Sequence, residues 1–110
     1  MKASELRIGN YILDGGDVEE VTYRVIEMLV KNQAEFDPIP LTEEWLLKFG
    51  FDKRMFGWWS NALFLRTENR NGYFYDWQKT NETAGTYIEY VHQLQNLYFV
   101  LTGKELILTL

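Results

Sequence analysis

The segment from Pro38 to Phe51, PIPLTEEWLLKFGF, constrains this chain more than any other. Its two prolines oppose helix before Thr42, which can cap the exposed N–H groups, and Glu43 and Glu44 suit the positive end of the helix that follows. Leu41 and Leu46 have the spacing of a hydrophobic staple. Gly50 then acts as a stop, with Phe51 able to fold back onto Leu46. The spacing predicts a helix over Glu43 to Phe49. Two turns are marginal alone, so Trp45, Leu46 and Phe49 must be packed on a sheet.

The rest of the chain supplies that sheet. In LRIGNYIL, Leu6 to Leu13, an apolar run ends at Asp14-Gly15-Gly16-Asp17, a cluster suited to a tight turn with positive φ. From Val18 to Asn32 the alternation of Val21, Tyr23 and Val25 with Glu20, Thr22 and Arg24 favours a strand. The spacing of Val18, Val21, Val25 and Met28 leaves a helix open. A further strand from Gln33 to Ile39 would give a curled antiparallel N-terminal sheet of the small-barrel kind.

Asn71-Gly72 carries the strongest hairpin signal, because both residues tolerate positive φ in a type I′ turn. A two-residue loop pairs Arg70 with Tyr73, Glu68 with Tyr75 and Arg66 with Trp77. One face then holds Arg66, Arg70, Tyr73, Tyr75 and Trp77, and the other Leu63, Leu65, Thr67, Phe74 and Asp76. TYIEY, from Thr86, reads as a strand. Val91, Leu94, Leu97, Tyr98 and Leu101 then share one helical arc that Gly103 ends, and ELILTL, from Glu105, reads as a last strand. The 110 residues, without internal repeat or linker, make one domain, and 46% apolar content is enough to fold it. The fold expected is therefore α+β. It is a single small domain of mainly antiparallel strands with a curled N-terminal sheet, a short helix near 43–49 and a longer one near 91–102.

Composition narrows function. A net charge of -5 disfavours binding that relies on blanket attraction to phosphate or anionic lipid. Without cysteine there is no disulfide, thiolate metal site or cysteine nucleophile. MKASELRIGN lacks the apolar core of a signal peptide, and no run has the length of a membrane span, so a cytoplasmic protein without membrane contact is expected.

Three segments, LRIGNYIL, PIPLTEEWLLKFGF and YVHQLQNLYFVLTGKEL, resemble a family of short uncharacterised proteins from bacteria of the Bacteroides group, their prophages and other mobile elements. The match covers about a third of the chain and keeps the order of the segments. The resemblance implies a bacterial cytoplasmic protein and brings no activity, cofactor or catalytic residue with it.

No convergent catalytic set stands out. His92, the single histidine, has no HxH or HExxH context, and along a helix only Glu89 could reach it. It shares a stripe with Gln95, Asn96 and Phe99, a set suited to hydrogen bonding backbone or a neighbouring loop. The pairs Glu19-Glu20 and Glu43-Glu44 diverge on either secondary structure and read as solvated or helix-end charge. Gly15-Gly16 lacks phosphate-loop context. No catalytic residue, metal or cofactor is expected.

The segment Lys53-Arg54-Met55-Phe56-Gly57-Trp58-Trp59 and the hairpin behind it place cations beside aromatic rings. Trp58, Trp59, Arg66, Arg70, Tyr73, Tyr75 and Trp77 form the candidate interaction surface. Packing of these rings in the core or the hairpin is the leading reading; where exposed, they would serve an unknown protein partner or self-association first. Single-stranded nucleic acid comes second, since bases stack on rings while cations hold phosphates but the net charge opposes it. An enzyme joining His92 to Glu89 or Asp76 comes last.

Overall fold

The computed structural model describes residues 1–60, 63–68, 72–75 and 86–108. Among them run, in order, strands β1 (Tyr11–Asp14) and β2 (Asp17–Glu20), helices α1 (Tyr23–Val30) and α2 (Glu43–Lys48), strands β3 (Asp52–Arg54), β4 (Gly57–Trp59), β5 (Phe64–Glu68), β6 (Gly72–Tyr75) and β7 (Thr86–Ile88), and helix α3 (Val91–Thr102). β1 and β2 form a hairpin, and β3 to β7 form a five-stranded sheet in sequence order, antiparallel throughout. The expected α+β class is the observed one.

The helix that the prolines and Gly50 frame forms as predicted. Thr42 takes the extended N-cap backbone, although its side chain makes no capping hydrogen bond. At the other end Gly50 adopts φ +82°, the Phe51 N–H donates to the Leu46 carbonyl at 2.9 Å and the Gly50 N–H to the Leu47 carbonyl at 3.0 Å. This paired closure is the Schellman stop. Leu46, Phe49 and Phe51 are all buried, in one cluster with Trp58, Leu65, Ile88, Val91 and Leu94. Two turns of helix are thus held by burial on the sheet.

Three expectations are corrected. Only Asp17–Glu20 of the second segment is strand, and Tyr23–Val30 is helix. Tyr23 is exposed while Val21 and Val25 are buried against Leu6, Ile12 and Phe36, with Ile26, Met28 and Leu29 partly covered. Burial at helical spacing outweighs the β preference of the branched residues. The strand expected from Gln33 to Ile39 shrinks to a bridge between Leu13 and Asp37, so the N-terminal sheet is a two-stranded hairpin. Pro38 and Pro40 have no N–H to extend a ladder. The segment ELIL joins no strand, because Leu106 is buried in the main core while Glu105 is held by Arg7.

The hairpin register also differs. Arg66 faces Phe74, Thr67 faces Tyr73 and Glu68 faces Gly72, three residues away from the expected pairing. An odd shift exchanges faces. The observed pairing puts Leu65 opposite Trp58 and brings Tyr73 and Tyr75 to the core side with Ile88. Arg66 and Phe74 go to the other face. Burying Leu65 with both tyrosines favours this register over one that pairs Leu65 with solvent-facing neighbours. Asn69, Arg70 and Asn71 themselves lie outside the described residues.

Helix α3 spans the range its periodicity predicts. Gly103 ends it at φ +72°, and the Gln93 side chain accepts the Glu89 and Tyr90 N–H groups at 2.8 and 3.1 Å. It carries the contacts that join the N-terminal hairpin to the rest.

Candidate functional site

The side chains that could act on another molecule collect on the outer face of the five-stranded sheet. Alternation along β4 turns Trp58 inward, where it is 1% exposed, and Trp59 outward, where it is 41% exposed. Across the sheet the register continues the outer row through Gly57, Arg66, Phe74 and Tyr87. The Arg66 guanidinium lies 4.9 Å from the centre of the Phe74 ring, and Tyr87 meets the same ring edge-on at 4.9 Å. Phe74 is covered between its neighbours, while Tyr87 stays exposed. Trp59 leans on Phe64 at 6.3 Å. Rings held from one side, as Trp59 and Tyr87 are, leave the other side for a partner.

Gly57 makes this packing possible. A Cβ there would run into the Leu65 carbonyl and come within 2.8 Å of the Phe64 ring. Beside it the tip of the β3–β4 hairpin raises Met55 and Phe56, 88% and 70% exposed. The tip is anchored: the Thr67 N–H and hydroxyl both donate to the Phe56 carbonyl, at 3.1 and 3.2 Å.

The expected interaction surface is therefore divided. Trp59 and Arg66 lie on the outer face, whereas Trp58 is core and Tyr73 and Tyr75 are half-buried against it. Burial, and then the charge of Glu43, push the Tyr73 hydroxyl above its ordinary pKa. Lys53, on the core side, sits 5.9 Å over the Trp58 ring and bonds Glu43. Arg70, Trp77, Lys79 and Asp76 lie outside the described residues. Sequence reasoning does not select Phe74 and Tyr87, which alternation counted from the correct register would have found.

His92 belongs to a different arrangement. It is buried, its ring stacks on Tyr90 at 5.8 Å, and its Nδ1 has no hydrogen-bond partner. Burial holds its pKa below the ordinary value, against a smaller upward pull from Glu5. Glu89, one turn away, is exposed and makes no bond to it among the described contacts. The rest of the stripe does what its chemistry predicts. The buried Gln95 accepts the Tyr11 N–H at 2.8 Å and donates to the Gly9 carbonyl at 3.0 Å, and Asn96 donates to the Glu5 carbonyl at 3.0 Å. Asn96 also accepts from Arg7 and from the buried Asn10, both at 2.9 Å, and Arg7 lies 4.4 Å over the Phe99 ring. LRIGNY and HQLQN are thus two halves of one buried polar seam.

The Glu43-Glu44 pair is dispersed as expected: Glu43 bonds Lys53 at 3.4 Å and Glu44 bonds Lys48 at 3.2 Å. Among the described residues no group of three or more His, Cys, Asp or Glu side chains could hold a metal ion. No helix among them is long and apolar enough to cross a membrane.

Comparison with protein-family models, with curated proteins and with solved structures finds no match to this chain.

Proposed function

We propose that this chain is a non-enzymatic accessory module that binds a protein partner through the outer face of its five-stranded sheet. The observation that carries the reading is the exposure of Trp59, Tyr87, Met55 and Phe56 around one sheet whose opposite face is core. Large apolar side chains grouped on a surface mark interfaces, and tryptophan, tyrosine and arginine dominate their energetics. His92 supports a non-catalytic reading, since it is buried in packing and its neighbours on the helix are spent on docking the N-terminal segment. The setting in a bacterial mobile element or prophage, and in the cytoplasm, rests on the three segments that resemble such proteins.

The test is recovery of partners from a host lysate by the wild-type chain and by Phe56→Ser plus Tyr87→Ala. Partners held by the first and lost by the second, with both proteins melting alike, support the surface. Equal recovery removes it.

A second reading, single-stranded nucleic-acid binding, is favoured by the Arg66, Phe74 and Tyr87 stack and opposed by the net charge of -5. It predicts that an oligonucleotide binds at low salt, with affinity that falls steeply as salt rises and drops on Tyr87→Ala or Arg66→Ala. Absence of a shift at low salt ends it.

A further inference from the structure

A cleft of about 700 Å3 opens along the β3 edge of the sheet, between the stop of α2 and the strap that follows α3. Phe49 and Leu106, both core residues, line its apolar part. Arg54 and Trp59 enter from the sheet, and Tyr98 and Lys104 from α3 and its C-terminal continuation. We propose that this cleft binds a small aromatic anion of the nucleotide class, its ring against Trp59 and Tyr98 and its phosphate on Arg54 and Lys104.

Charge is the first ground for this ligand. In this acidic chain Arg7, Lys31, Lys48 and Lys53 each have a carboxylate partner. Among the described residues, Lys2, Arg24, Arg54 and Lys104 have none within ion-pair distance, and of these Arg54 and Lys104 line the same cleft. Two carboxylates also border it. Glu105 is met by the Arg7 guanidinium, whose Nη1 and Nη2 donate to its two oxygens at 2.5 and 3.4 Å. Asp52 shares a face with Arg54 at a spacing of roughly 7 Å along the strand. It remains as an acceptor for the amino or ring N–H groups of a base. Cations for the phosphate and a carboxylate for base N–H groups describe a nucleotide better than a plain anion.

Shape and surface chemistry agree. Trp59 is backed by Phe64 at 6.3 Å and still 41% exposed, so one ring edge or face is free for stacking. The volume lies within the range of small-molecule sites, which combine apolar walls with a few polar anchors. A purely apolar ligand would desolvate two cations without compensation. The inference shares Trp59 with the protein-binding reading, but its ionic anchors, Arg54 and Lys104, lie outside the Phe56 and Tyr87 set.

Titration of the full chain with AMP, GMP, adenosine and inorganic phosphate, read by calorimetry and tryptophan fluorescence, tests it. AMP or GMP should bind saturably, and adenosine and phosphate alone at least about tenfold more weakly, since each keeps only part of the contacts. Arg54→Gln plus Lys104→Gln, with an unchanged circular-dichroism spectrum, should weaken the nucleotide by about tenfold or more. Phe56→Ser plus Tyr87→Ala should leave it unaltered. The inference is overturned if neither nucleotide binds saturably at millimolar concentration, if phosphate alone binds as tightly, or if the Arg54, Lys104 variant binds like wild type.

Discussion

His92 gives the clearest consequence at the scale of one residue. Burial lowers its pKa from the ordinary 6.5, and Glu5 only partly offsets that. A group whose folded pKa lies below its unfolded one contributes stability that is complete above the unfolded value and is lost as pH falls toward the folded value. The melting temperature should therefore drop as pH falls through and below about 6.5, before most carboxylates titrate. His92→Gln should flatten that drop. An unchanged slope in the variant would mean that another group is responsible. From the sequence no chemistry is expected at His92, for want of partners, and Gln95 and Asn96 are assigned to backbone bonding; both expectations follow from residue type and helical spacing. The sequence does not reach the isolated Nδ1, which depends on the Tyr90 ring and the N-terminal segment meeting in space.

At the scale of elements, two glycines serve different ends. Gly50 sits in the left-handed region at φ +82° with open space where a Cβ would go, so Gly50→Ala should cost about 1 kcal/mol in urea unfolding from backbone strain alone. Gly57 has no positive φ, but its missing side chain lets the Leu65 carbonyl and the Phe64 ring approach. Gly57→Ala should be the more damaging, since β4 must part from β5. Equal costs would show that the close approach relaxes freely. Elements with local punctuation are legible in the sequence: α2 from its prolines and glycine, the β1–β2 turn from Gly15-Gly16, α3 from its arc and Gly103. The failures share a cause. Residues 21 to 30 carry two periodicities, and the Leu65 and Tyr73 strands carry apolar residues on both faces, so only the partner surface decides between them.

At the scale of the molecule, the apolar interior is in two parts, one around Leu46, Trp58 and Leu94 and one around Ile12, Val21 and Phe36. The buried polar seam joins them, with Arg7 donating to Asn96, to Glu105 and to the Gln95 carbonyl. Arg7→Ala should lower stability by about 1–2 kcal/mol, because the seam is half-exposed there and its acceptors regain water. Hydrogen exchange should then quicken first in Tyr11–Asp14, while Phe64–Glu68 keeps its protection. Uniform acceleration of both strands would indicate a single indivisible unit. Neither part of the interior, nor the outer sheet face, could be drawn from sequence, because both rest on pairings between distant segments.

The same seam fixes an order of events during synthesis. The side-chain amides of Gln95, which is buried, and of Asn96 serve residues 84 to 91 positions earlier in the chain. When a ribosome has made the N-terminal hairpin, the groups that satisfy Gly9, Asn10 and Tyr11 do not yet exist. Those polar atoms, the Gly9 carbonyl, the Asn10 side-chain amide and the Tyr11 N–H, must stay hydrated until α3 emerges, and closing so long a loop is a late and slow step. The N-terminal hairpin can complete its contacts only after α3 has been joined, so a nascent chain stalled before residue 95 should remain open at that hairpin.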